Sequence, residues 1–157
     1  MDSVITSNQC ANELYAALSS ELAGLLRQCE SPAFLKAGMR LIGHEEDPDQ
    51  LVIVRSGEVL ISLPSARDSV TLGTAGPGKV LGLRCLISGE LPQIDAVCLC
   101  DCKVATIAKS RFMDVLKQHP EIYFAIAKVL SSDLELAERH LKNTSRARVR
   151  HHRSGNC

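Results

Sequence analysis

At 157 residues the chain suits one hydrophobic core with an appendage and is too short for two full domains. Hydrophobic residues at 45% against 23% charged ones exclude wholesale disorder and collagen-like or coiled-coil compositions, and a formal net charge of zero excludes a uniformly basic surface. That zero hides a split: the six basic residues from Arg139 to Arg153 face no acid, which leaves residues 1–138 at −6, with 18 acids against the 12 remaining bases.

Aromatic residues make up only 3%, with no Trp, so a stacking platform for single-stranded nucleic acid has few rings to use. The longest apolar runs fall far short of the ~20 residues that cross a bilayer, which implies no membrane partner. Met1-Asp2-Ser3 opens without a basic start and an apolar stretch, so a cytoplasmic location is expected. Seven cysteines without a secretory leader point to reduced thiols.

Leu14, Leu18, Leu22, Leu25 and Leu26 recur at steps of three and four, which predicts one or two short helices over 12–29, broken near Ser19-Ser20. Pro32 ends that period. Between 33 and 108, glycines at fairly even intervals cut short Val/Ile/Leu runs at 51–54, 58–63, 70–72, 80–83, 94–99 and 103–108. Short strands punctuated by turn residues predict an antiparallel sandwich or roll, and the lack of α/β alternation excludes a parallel sheet. Gly38, Gly57 and Gly78 stand where hairpins need a positive φ. Ser110 reads as the N-cap of a helix carrying Phe112, Val115 and Leu116, which His119-Pro120 ends. The stripe Ile122, Ile126, Leu130, Leu134, Ala137 and Leu141 then runs for about five turns of helix. The predicted fold class is mainly β with flanking helices: a helical segment over 1–30, a roll over 31–109, a short and a long helix over 110–143, and a basic tail over 144–157.

Residues 34–42 (Phe34-Leu35-Lys36-Ala37-Gly38-Met39-Arg40-Leu41-Ile42), the run from Asp47 through Ser56-Gly57 to Val59, and Gly76-Pro77-Gly78-Lys79-Val80-Leu81-Gly82 lie in the order helix, β-roll, helix. With Cys102-Lys103-Val104-Ala105-Thr106-Ile107 and Arg111-Phe112, they resemble the cyclic-nucleotide-binding domain, closest to the effector domain of Crp/Fnr-type transcriptional regulators. The resemblance covers about 14–143. It implies a β-roll or jelly-roll, a small-molecule effector and a regulatory, non-enzymatic role. It also implies a long dimerisation helix, so a homodimer is expected through Ile122, Ile126, Leu130, Leu134 and Leu141, whose distal leucines would otherwise meet water. The family's regulators continue into a helix-turn-helix domain. This chain stops at Cys157, so sequence-specific DNA binding by it alone is not expected, and a regulator partner is the alternative role.

The family's ligand cassette carries a Gly-Glu pair and, some ten residues on, an Arg followed by a small residue. A buried cyclic phosphate needs a guanidinium and backbone N–H donors, and a carboxylate takes the ribose hydroxyl. Here Leu83 follows Gly82 where the Glu would stand, and Pro92-Gln93 stand near the Arg position. The expected ligand-contacting residues are Gly82, Leu83, Arg84, Cys85, Pro92, Gln93 and Ile94, with an effector other than a usual cyclic nucleotide. The alternative is cyclic AMP or GMP held by Arg84, which otherwise points to solvent or pairs with Glu90. Cys98, Cys100 and Cys102 alternate along one predicted strand and face one side. A straight strand spreads thiolates that a metal would need converging, so they read as small buried apolar groups. The redox-sensing branch of the family holds an iron–sulfur cluster through closely spaced N-terminal cysteines, and only Cys10 lies there, so no cofactor or metal is implied. The five histidines read as surface or capping residues, and no catalytic residues emerge: no nucleophile has a base beside it, and no glycine-rich phosphate loop is followed by Lys and Ser/Thr.

Overall fold

A computed structural model describes residues 11–131. In chain order these are β1 (Ala11–Asn12), α1 (Leu14–Ala17), α2 (Ser20–Arg27), β2 (Ser31–Leu35), β3 (Arg40–Ile42), β4 (Gln50–Ser56), β5 (Val59–Leu63), β6 (Val70–Ala75), β7 (Val80–Leu81), α3 (Leu83–Ser88), β8 (Asp95–Cys98), β9 (Cys102–Ala108) and α4 (Lys109–Gln118). A further helix, α5, runs over 121–131.

The strands form a five-stranded sheet in the order β1-β7-β4-β9-β2 and a four-stranded sheet in the order β3-β8-β5-β6, antiparallel throughout. The unbroken apolar run of β4 follows from burial on both faces. Successive side chains alternate across the sheet, so Val52 and Val54 join Val59, Ile61, Ala96 and Val104 between the two sheets. Leu51 and Ile53 join Ala105, Ile107, Phe112, Leu116 and the leucines of α1 and α2 on the opposite face. The roll therefore has two cores, one between the sheets and one between the larger sheet and the helices.

Ser19 caps α2 by accepting from the Leu22 N–H at 3.3 Å, the break expected near Ser19-Ser20. Ser110 is not a cap. β9 pairs with β4 as far as Gln50 and Ala108, and the Lys109 N–H donates to the Asp49 carbonyl at 2.8 Å, so α4 starts one residue before Ser110 with its first donor already satisfied by backbone. The cysteine run is not one strand either. β8 belongs to the smaller sheet and β9 to the larger, and the chain crosses between them at 99–101. Cys98 and Cys102 are buried and Cys100 is exposed at the turn.

Gly38, Gly57 and Gly78 have φ of 89°, 94° and 91°. At Gly57 space is closed as well, because a Cβ would lie 2.6 Å from Cys102 Sγ and 2.9 Å from the Asp101 carbonyl oxygen. Gly57→Ala is therefore expected to destabilise the fold by at least about 2 kcal/mol, from a strained left-handed backbone plus an overpacked contact. Chemical denaturation measures it, and a loss below the level of an ordinary surface substitution would contradict the crowding.

Candidate functional site

A cavity of about 220 Å³ opens beside α3. Its floor is apolar: Ile42 from the end of β3, Leu72 from β6 and Ile94 just before β8, all buried. Leu63 at the end of β5 and Leu91 stand at the mouth, both largely exposed. Gly82, Arg84, Cys85, Ser88, Glu90, Pro92 and Gln93 complete the wall.

The phase of α3 sorts its side chains. Gly82, with φ at 90°, ends β7 and turns the chain into the helix, and Gly89, at 76°, closes it. Over the intervening turns Leu83 and Leu86 point into the helix-side core, while Arg84, Cys85 and Ser88 line the cavity. Six of the seven residues expected to contact a ligand, Gly82, Arg84, Cys85, Pro92, Gln93 and Ile94, come together here. Leu83 does not: it is fully buried among Leu14, Leu51 and Phe112 on the far side of α3. Ile42, Leu63 and Leu72 arrive from three other strands, and nothing in the local sequence pattern marks them as neighbours of the cassette.

Arg84 and Glu90 are exposed, and neither forms an ion pair among the described residues, so the expected Arg84–Glu90 pairing is absent there. Burial pushes the Cys85 thiol up, Arg84 draws it partly back, and Glu90 adds to the rise.

The strand that carries Ile94 into the floor is tied to the turn after β3. The Asp95 carboxylate accepts from the His44 backbone N–H at 2.9 Å and meets His44 Nδ1 at 2.9 Å, and the Glu45 N–H donates to the Pro92 carbonyl at 2.8 Å. Partial burial works against ionisation of Asp95, but the two His44 hydrogen bonds outweigh it and hold the carboxyl below its usual range. Glu45 accepts a φ of 62° to make this turn, the one left-handed residue other than glycine among the described residues. His44 is thus a half-exposed structural partner. His119 is the C-cap of α4, while His140, His151 and His152 lie outside the described residues.

Away from the cavity, Tyr15 donates to Glu30, whose carboxylate also takes Arg55 Nη2 at 2.6 Å, and Arg27 and Arg55 both lie over the Tyr15 ring. Burial and then the Glu30 carboxylate raise the Tyr15 hydroxyl well above its ordinary range, so it stays a neutral donor.

Among the described residues no group of three or more His, Cys, Asp or Glu side chains is placed to hold a metal ion. Burial, followed by the neighbouring Cys98 and Cys100, pushes the Cys102 thiol up from 9.0 to about 11. A thiol raised on folding contributes stability that is complete below its unfolded pKa and is lost as pH climbs through the folded value. Stability is therefore expected to fall between about pH 9 and pH 11, and less steeply in Cys102→Ala, in denaturation curves taken across that range. Equal slopes for the two proteins would contradict the assignment.

The expected interface stripe is partly spent inside the chain. Ile122 and Ile126 are 0% and 2% exposed in the helix-side core, and Leu130 packs half-buried against the same cluster. Leu134, Ala137 and Leu141 lie outside the described residues. The outer side of α5 carries Tyr123 and Phe124, the latter 79% exposed. No helix among the described residues is long and apolar enough to cross a membrane.

The sequence model of the cyclic nucleotide-binding domain matches residues 32–119, more than half of the chain. Among solved structures, the Thermus thermophilus catabolite activator protein superposes with a TM-score of 0.76 at 20% identity, over 85% of this chain and 63% of its own. The N-terminal domain of a transcriptional regulator from Streptomyces coelicolor A3(2) gives a TM-score of 0.63 at 26% identity, over 87% of this chain and 91% of its own. The sensor domain of the transcriptional regulator DNR from Pseudomonas aeruginosa gives 0.65 at 14% identity, over 78% and 83%. A search of curated protein sequences found no match.

Proposed function

This chain belongs to the cyclic nucleotide-binding domain family, and from that premise we propose that it is a non-catalytic sensor module of Crp/Fnr type whose effector is not a usual cyclic nucleotide. The observation that carries the reading is the wall of the cavity. α3 offers it one cation, Arg84, while Leu83 is turned away and the floor is Ile42, Leu72 and Ile94. Ribose hydroxyls and a cyclic phosphate seated on that apolar floor, away from Arg84, Ser88, Glu90 and Gln93 in the wall, would be left without partners, which costs several kcal/mol. Pockets for drug-sized ligands span about 300–1,000 Å³, so a cavity of about 220 Å³ favours something smaller than a nucleotide. The chain spans about 63% of the length of the Thermus protein, whose name describes an activator, and a role in transcription regulation is carried over on that likeness and on the Streptomyces domain. Isothermal titration with cyclic AMP and cyclic GMP at millimolar concentration is expected to give no heat. Binding heat that disappears in Arg84→Ala would reverse the reading in favour of a cyclic-nucleotide site built on that arginine.

The second reading is a two-fold homodimer through the outer side of α5, favoured by the exposed Phe124 and Tyr123 rather than by Ile122 and Ile126, which the chain's own core consumes. Aromatic side chains bury large areas at such interfaces. Pairing with a longer regulator through the same face is the heterologous form of this reading. Sedimentation of the wild type as a dimer and of Phe124→Asp as a folded monomer supports it, and a wild-type monomer at high micromolar concentration overturns it.

A further inference from the structure

The lining of the cavity is unevenly distributed, and the unevenness says what kind of molecule fits. The floor of Ile42, Leu72 and Ile94 is closed and apolar, each about one-tenth exposed or less. Leu63 and Leu91 extend the apolar surface to the mouth at 41% and 48% exposure, so the opening presents uncovered leucine. The charges sit only on the rim. Arg84 has no ion pair among the described residues, although Glu90 stands on the same rim. Arg84 from the first turn of α3 and Glu90 just after that helix both line the cavity, as does the Cys85 thiol.

Resting on the sensor reading above, we infer that the effector is a small apolar monocarboxylate, its hydrocarbon body on the Ile42–Leu72–Ile94 floor and its carboxylate on Arg84. A planar guanidinium matches a carboxylate through two parallel hydrogen bonds. Arg84 is the single cation in the lining among the described residues, and with Glu90 also in the lining no positive charge there is left for a second anionic group, which disfavours dicarboxylates and phosphate monoesters. An apolar floor has nothing to offer hydroxyls or a nucleobase edge and everything to offer methylene groups.

Cys85 provides a direct readout. The rate of its alkylation by iodoacetamide is followed by peptide mass spectrometry, with exposed Cys100, which is not part of the cavity, as the internal reference. Three probes are compared: octanoate, octyltrimethylammonium and cyclic AMP. Octanoate at about five times its Kd is expected to slow Cys85 modification about sixfold and leave Cys100 unchanged. Arg84→Ala, which removes an exposed side chain with no ion pair among the described residues, is expected to weaken octanoate about tenfold or more, and Arg84→Lys less. Protection by octyltrimethylammonium as strong as by octanoate, or octanoate protection unchanged in Arg84→Ala, overturns the carboxylate assignment while leaving an effector cavity. Protection by cyclic AMP overturns the reading of an effector other than a usual cyclic nucleotide. Absence of protection by all three overturns the inference.

Discussion

Phe112→Ala is expected to cost about 3–5 kcal/mol, a large part of the roughly 5–15 kcal/mol that holds a domain of this size together. Phe112 heads the fully buried side chains by volume, and it is the piece that joins α4 to the outer face of β4 and β9. Around it stand Leu14, Leu26, Leu51, Ile53, Ile107 and Ile122, drawn from two N-terminal helices, two central strands and α5. Strands paired on both sides resist collapse into the space the ring would vacate, so the cavity term adds to the lost transfer term. Urea denaturation should show the midpoint falling with the slope of the transition unchanged. A loss below about 1.5 kcal/mol, the range of volume-conserving swaps, would mean that the helix layer closes over the gap and is not a packed second core.

How far the fold and the site can be read from the sequence depends on whether the deciding partner is local. β4 and β9 announce themselves as apolar runs because each is buried on both faces, and the turns at Gly38, Gly57 and Gly78 announce themselves because only glycine takes their φ without strain. β1 has no such signal: two residues, Ala11 and Asn12, owe their strand geometry wholly to pairing with Val80 and Leu81. Ser110 has the side chain of a cap, but it lies inside the first turn of α4, whose start is set by the Lys109 N–H donating to the carbonyl of Asp49, 60 positions from Lys109. The alternation of Cys98, Cys100 and Cys102 mimics a strand face because a strand period has no way of marking a change of sheet at 99–101. The stripe from Ile122 is genuine amphipathicity whose partner is the chain's own roll for its first two members. In the cassette, the segment is legible from its glycines. The direction of each side chain is not, since it depends on the phase with which Gly82 launches α3.

That phase makes Leu83→Glu the second substitution with a large expected effect. In the linear pattern it restores the Gly-Glu pair of the family's cassette. In the folded chain it drives a carboxylate into the apolar cluster of Leu14, Leu51, Leu86 and Phe112, where Leu83 is fully buried. An uncompensated buried charge costs about 3–5 kcal/mol, and the lost leucine packing adds to it. The variant is therefore expected to be severely destabilised at neutral pH and to bind no cyclic nucleotide. Its pH dependence identifies the cause: burial raises the folded-state pKa of the new carboxyl above its unfolded value, so the protonated form is tolerated, and the deficit relative to wild type shrinks as pH falls toward that unfolded value and grows as pH rises through the folded one. The neighbouring position supplies the control. Arg84→Glu puts the same carboxylate on the cavity rim in the first turn of α3, in contact with solvent, and should change stability by no more than about 0.5 kcal/mol. Thermal or urea denaturation of both variants at two pH values separates the outcomes. If Leu83→Glu is as stable as Arg84→Glu and gains affinity for cyclic AMP, the side chain at 83 faces the ligand after all, and the cassette is one substitution away from its relatives rather than rebuilt around a different effector.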